Sequence, residues 1–385
     1  MVNVLVTSTP MMICAILSVL LGLSLSDRWD RPRFRLLLFM IVATLLYAGH
    51  YIFFNHISEA IPISDTLYSF ANPAVYPLFF IYVEELTQRH PNRMHQLLIM
   101  LPPFICCLCV GVLYALMSEQ EMSQFISHHL YGNEYATLTG LAWWQGAAHM
   151  MVKIVFALEI PPFLIVGCRH IRRYNQMVRN NYSNTEGKTL ETVNSLLILF
   201  VVASIASFVC NLIGRYWFAS SLKLIIIPIV LFSILILLIG HVGLKQHFYI
   251  QDVEEDVETE TEDANLVNVL QPDERLNREL RRLIDEEKLF LHPNLKTSDL
   301  AKRLNTNRNY IYNVINVKMG LSFSEFINRK RIDYAIKLIE KNPDRYLSDI
   351  ANQSGFSSTS AFYRNFKHFQ GRSPRDYVED VLAKK

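Results

Sequence analysis

The sequence predicts an all-α protein in two unlike parts: a seven-helix transmembrane bundle, then a cytoplasmic domain in which a helix-turn-helix pattern occurs twice. Three observations predict it. Of the 385 residues 51% are hydrophobic, a high share for a soluble protein, and they gather into seven runs of membrane-spanning length before residue 245. Charge is divided: residues 292–385 carry 17 Lys/Arg against 9 Asp/Glu, a formal +8, while the whole chain nets only +2. Within that basic tail a short amphipathic helix, a tight turn and a second helix recur, joined by one longer helix.

The apolar runs cover residues 4–25, 36–54, 61–83, 97–117, 149–168, 195–214 and 221–244. A bilayer core of ~30 Å takes ~20 residues of helix, and each run is near that length. The third is the weakest, interrupted by Asp65, Ser69, Asn72 and Pro73. No Lys or Arg precedes Val4 and no small-residue cleavage site is evident, so the first run reads as a retained span. The connections after runs one, three and five hold eleven basic residues: Arg28, Arg31, Arg33, Arg35, Arg89, Arg93, Arg169, Arg172, Arg173, Arg179 and Lys188. Those after two, four and six, counting the first turn of run seven, hold two, Arg215 and Lys223. The positive-inside rule then places the amino terminus outside and the carboxy terminus in the cytoplasm.

Polar groups within the runs, His50, Asp65, Lys153, Glu159 and Asn211, are expensive in lipid and are expected to face a bundle interior or a wet cavity. Glu159 reads either as a packing partner or as part of a signal site, and Lys153 as a snorkelling end. Pro102-Pro103 and Pro161-Pro162 should bend their helices. The longest outer connection, residues 118–148, holds Glu119, Glu121, His128, His129 and Glu134 without a third ligand at helical spacing, which reads as solvated surface and not as a metal site. Trp143 and Trp144 fit an interfacial belt. The six cysteines all lie in apolar stretches, and Cys106, Cys107 and Cys109 lack zinc-site spacing. No metal and no cofactor is expected. With no glycine-rich phosphate loop, nucleophile elbow or HExxH, the chain does not read as an enzyme.

After the seventh run the composition changes abruptly. Residues 246–271 form an acidic linker, with eight Asp/Glu and no base between 251 and 263, a run that repels itself and stays extended. A connecting helix follows over residues 272–290, started by Pro272, with Leu276, Leu280, Leu283 and Ile284 at helical spacing; it packs on the tail or pairs with a twin in a dimer.

In residues 291–385 the first motif is expected to be capped by Ser298, to bury Leu300, Ala301 and Leu304, and to turn at Asn305-Thr306-Asn307. The helix after that turn separates an inward side, Ile311, Val314 and Ile315, from a polar stripe of Asn309, Tyr312, Asn313 and Asn316 that no core requires. Asn pairs bidentately with adenine, and Tyr reaches a base or a phosphate. In the second motif Ile350 and Ala351 pack inward, Gly355 permits the turn, and Ser357 or Ser358 caps a helix anchored by Phe362, Phe366 and Phe369. Thr359, Ser360, Tyr363, Arg364 and Lys367 face the other way. A helix over about residues 322–341 joins the two motifs, turning Phe326, Ile327, Ala335, Leu338 and Ile339 inward.

Residues 292–380 resemble the DNA-binding domain of the AraC/XylS family of bacterial transcription regulators. The agreement runs through Asp299-Leu300-Ala301, Gly320, Arg331-Ile332, Ala335, Asp349-Ile350-Ala351, Gly355-Phe356, Ser360-Ala361-Phe362, Phe366-Lys367, Gly371 and Ser373-Pro374. The resemblance implies that helices beginning near Asn307 and Ser358 enter successive major grooves of promoter DNA. On the family pattern the base-facing positions are Asn309, Tyr312, Asn313, Thr359, Ser360, Tyr363 and Arg364, and Arg308, Asn316 and Lys367 complete the expected DNA contacts; RNA polymerase is an expected partner, and the sequence does not decide between activator and repressor. The first reading helix departs from many members in offering Asn and Tyr with little Arg.

The two parts together read as a one-component regulator of the bacterial inner membrane. Residues 1–245 would receive an envelope or small-molecule signal, and the tail, alone or in a homodimer, would bind duplex DNA. A transporter or membrane enzyme whose tail controls its own synthesis is the alternative. A further expectation is that the acidic linker acts as a plain tether or competes with DNA for the basic tail.

Overall fold

The computed structural model describes residues 2–132, 134–213, 222–246, 250 and 274–383. Among these the chain is helical, joined by turns, with one isolated antiparallel bridge between Tyr182 and Lys296. It forms two compact units, Met1–Ile171 with Leu190–His247 and Arg172–Thr189 with Phe248–Lys385. The acidic run, Pro272, Arg215 and the side chains of Asn211 and Lys223 lie outside the described residues.

In the first unit the long helices are α1 (Val2–Asp27), α2 (Arg31–Phe54), α3 (Ile61–Thr87), α4 (Arg93–Leu116), α6 (Gly140–Asn181, continuing into the second unit), α7 (Glu191–Ile213) and α8 (Leu222–Lys245). A six-residue helix, α5 (Glu119–Gln124), lies between α4 and α6 and is closed by a Ser118/Glu121 capping box. α1 packs on α2, α2 on α3 and α3 on α4, while α8 packs on α1 and α7. Five of these helices, α1, α2, α4, α6 and α8, are long and apolar enough to cross a membrane, and the apolar described part of α7 is the shorter Glu191–Ile205.

α3 differs because protein surrounds it: 20 of its 27 residues are buried. Asp65, a group that lipid would penalise, is met there by two partners. Tyr114 Oη donates to Asp65 Oδ2 at 2.8 Å, and His149 Nε2 lies 2.7 Å from the same oxygen. His149 Nδ1 donates to the Gln145 carbonyl at 2.8 Å, which fixes the ring's orientation. Three to four turns further along α3 the rings of Tyr76 and Phe79 pack with those of Phe39 and Phe200, centroids 5.1 to 5.9 Å apart, within the range of favourable aromatic pairs. α4 and α6 each run on through their paired prolines as single helices.

The second unit contains α9 (Glu274–Arg281), α10 (Thr297–Arg303), α11 (Arg308–Tyr312), α12 (Phe323–Lys341), α13 (Leu347–Gln353), α14 (Thr359–Gln370) and α15 (Pro374–Ala383). Two apolar clusters are strung along α12. The first joins Leu280 of α9, and Leu283 and Ile284 just after it, to Leu300, Ile311, Val314, Ile315, Phe323 and Ile327. The second joins Ile332, Ala335 and Ile339 to Ile350, Ala351, Phe356, Phe362 and Phe366. The leucine stripe of the connecting helix thus packs on the first motif, where Tyr310 Oη also donates to Asn277 Oδ1 at 3.1 Å.

Candidate nucleic-acid interface

Local capping sets the start of each helix that carries candidate contacts. Asn307 Oδ1 accepts from the Tyr310 amide at 2.9 Å to open α11, and Ser358 Oγ accepts from the Ala361 amide at 3.0 Å to open α14. Ser322 and Glu325 form a reciprocal capping box on α12. Burial raises the Glu325 carboxyl's proton affinity, but hydrogen bonds from the Ser322 amide and hydroxyl more than reverse this and hold it below the ordinary glutamate value. Ser298 is not the cap of the first motif: α10 begins at Thr297, and Ser298 is buried in its first turn. The Asp299 carboxylate instead accepts from the Lys296 amide at 2.8 Å, satisfying the end from the third helical position.

Gly355 makes the second turn possible. Its φ is +82°, and a Cβ there would lie 2.7 Å from the Leu291 Cα and carbonyl oxygen, so both the backbone angle and the close approach exclude a side chain. Asn305 takes the matching left-handed place in the first turn, at φ +48°.

With Ile311, Val314 and Ile315 turned into the first cluster, Asn309, Tyr312 and Asn313 stand exposed and Arg308 half-buried. On α14 the burial of Phe362 and Phe366 leaves Thr359, Ser360, Arg364 and Lys367 exposed and Tyr363 half-buried. Asn316 departs from the expected stripe. After Tyr312 the chain widens into a π-helical turn over Asn313–Lys318, and there Asn316 is half-buried, its Nδ2 donating to Asn180 Oδ1 at 2.8 Å. The two exposed faces are mounted on one 19-residue helix, α12, ~28 Å long by helical rise.

Sequence reasoning missed what holds this surface from behind. Arg331, 1% exposed, donates to the carbonyls of Phe290 at 2.7 Å, His292 at 2.7 Å and Pro293 at 3.2 Å, to Asn328 Oδ1 at 3.0 Å and to Ser183 Oγ at 3.2 Å. Burial lowers its guanidinium to about 10, which still leaves it a cation at neutral pH. A charge at the inward register of α12, between Ile327 and Ile332, was the available signal. Ser183 and Glu186 carried none.

A helix-turn-helix domain family matches residues 300–380. The Msm operon regulatory protein of Streptococcus mutans is 30% identical over 112 residues, 28% of this chain and 40% of that protein. An uncharacterized HTH-type transcriptional regulator of Staphylococcus aureus (strain MSSA476) is 33% identical over 104 residues, 27% of this chain and 14% of that protein. A second such regulator, from Staphylococcus aureus strain MRSA252, matches at the same identity and coverage. The chain thus spans less than half the length of these curated relatives. No solved structure matches it. Paired turns, exposed polar faces and these likenesses converge on the same stretch: residues 300–380 are a helix-turn-helix domain of the AraC type.

Proposed function

We propose that the protein is a membrane-embedded one-component transcription regulator. Its seven long helices span the inner membrane with the amino terminus outside, and its carboxy-terminal domain binds promoter DNA sequence-specifically. The observation that carries this reading is the presence, in one chain, of five helices long and apolar enough to cross a bilayer and of an AraC-type helix-turn-helix domain. Arg172–Thr189, which loop charge assigns to the cytoplasm, packs in the same compact unit as that domain, and a bilayer cannot come between parts of one packed unit.

On this reading Asn309, Tyr312 and Asn313 address one major groove, and Thr359, Ser360, Tyr363 and Arg364 the next. Arg308 and Lys367 contribute phosphate contacts. A signal at the bundle alters promoter occupancy only by binding two bundle states with different affinity. The Asp65–Tyr114–His149 cluster, joining α3, α4 and α6, is a buried polar group through which such states can differ. RNA polymerase and a second copy of the chain are the partners that the assignment brings with it.

The test maps DNA bound by the intact membrane protein across its genome, alongside a reporter fused to the last residue. Enrichment of a shared promoter sequence with a cytoplasmic reporter supports the proposal. A reporter beyond the bilayer, or no preference for any promoter over random duplex, defeats it.

A further inference from the structure

The segment after α6 is docked on the second unit through two kinds of contact. The first is a buried anchor. Tyr182 bridges to Lys296, the Ser183 amide donates to the Leu295 carbonyl at 3.0 Å, and the Ser183 carbonyl accepts from Ser324 Oγ and Asn328 Nδ2, each at 3.2 Å. Arg331 reaches Ser183 Oγ from below, and Ser183 is 1% exposed. Three residues further on lies an exposed polar contact. Glu186 Oε2 accepts from Ser358 Oγ at 2.7 Å, and its Oε1 pairs with Arg364 Nη2 at 3.1 Å.

Both partners of Glu186 belong to the second reading helix. Ser358 is the N-cap of the twelve-residue α14 and Arg364 stands on its exposed face, so the carboxylate sits where the helix dipole and a free guanidinium favour an anion. Those are the features with which such helices hold a DNA phosphate. Asn316, at the far end of the first reading helix, is held by Asn180 in the last turn of α6.

We propose that Glu186 is an intramolecular phosphate mimic, a latch that occupies the second reading helix and must leave before that helix engages DNA. The anchor at Ser183 keeps the latch in place, and the Glu186 contact is the part that opens. It lies at the surface, the side chains of Arg364 and Glu186 being 67% and 39% accessible, so the contact is weak enough for duplex DNA to displace. This rests on the DNA-binding reading above and assigns the regulation of that site to one carboxylate.

The experiment uses the full chain in lipid nanodiscs and a fluorescent pool of random-sequence 40-bp duplex at fixed salt, comparing parent, Glu186→Gln, Glu186→Lys and the charge control Asp344→Asn. Glu186→Gln should tighten binding about two- to fivefold, as expected for loss of an exposed ion pair, with Glu186→Lys tighter still and Asp344→Asn near the parent. Equal affinity of Glu186→Gln and parent, weaker binding by Glu186→Gln, or equal tightening by Asp344→Asn overturns the latch and leaves DNA binding standing. Failure of all four chains to bind duplex overturns the DNA-binding reading, and the latch with it.

Discussion

Arg331→Met removes a cation from the interior of the second unit while keeping most of the apolar stem. Three backbone carbonyls lose a donor, the buried one of Phe290 and the part-exposed ones of His292 and Pro293, which keep the Leu295 amide and Ser183 Oγ as donors, together with Asn328 Oδ1 and Ser183 Oγ. An acceptor left unsatisfied in the interior costs ~1–3 kcal/mol, so the Phe290 carbonyl and Asn328 Oδ1, the two in the interior, together amount to ~3 kcal/mol toward the low end. Opposing this, the substitution relieves the cost of burying the cation, the cost that lowers its proton affinity to about 10. The relief roughly offsets the loss of the contacts to His292, Pro293 and Ser183, and a net destabilisation of ~3 kcal/mol is expected, about a hundredfold in the opening equilibrium. Hydrogen–deuterium exchange on the full chain reads it as a loss of protection of that size in α10, α12 and residues 289–296, with α1 and α2 unchanged. Protection within threefold of the parent would refute the reasoning, since the five contacts would then contribute nothing beyond the desolvation they offset.

Further consequences follow from single contacts. Asn309→Ala or Asn313→Ala should cost ~1–3 kcal/mol of affinity for the mapped promoter and relax base preference, whereas Lys367→Ala should weaken all duplexes alike and reduce the salt slope by ~1; salt-titrated binding to matched and mismatched sites distinguishes them. Gly355→Ala should lower stability by at least ~1–2 kcal/mol for the left-handed backbone alone. Gly355→Asn should be no better, because the Leu291 contact excludes any Cβ; a Tm for the Asn variant near that of the parent would show that the close approach is unimportant. The depressed Glu325 carboxyl contributes stability that is present above its unfolded-state value and is lost as pH falls through its folded-state value. The Tm difference between parent and Glu325→Gln should therefore narrow on acidification from neutral pH, and a constant difference would assign the contribution to something other than ionised carboxylate.

What the sequence made legible was local. Asn307, Ser322 and Ser358 cap helices within three residues of themselves, and the apolar spacing of Ile311, Val314 and Ile315, or of Phe362 and Phe366, follows from helical repeat alone. Ser298 misled because three adjacent polar residues offer the same capping chemistry, and Asp299 at the third helical position supplied it to the Lys296 amide. Asn316 left the expected stripe because a π-helical turn widens the repeat after Tyr312, a change that spacing does not announce. α3 read as the weakest apolar run because hydropathy averages a helix over all its faces, whereas its polar groups are buried among other helices. The anchor at Ser183 was invisible: its partners Leu295, Ser324, Asn328 and Arg331 lie more than a hundred positions away, and nothing in a serine names them.

The division of α12 has its own consequence. One apolar cluster ends on it at Ile327 and the other begins at Ile332, and no buried residue belongs to both. A lineage can therefore rewrite the outward residues of one reading helix without repacking the half that carries the other. If the domain reads promoters as proposed, new ones come within reach one box at a time, with the rod between the halves keeping the gap between boxes constant.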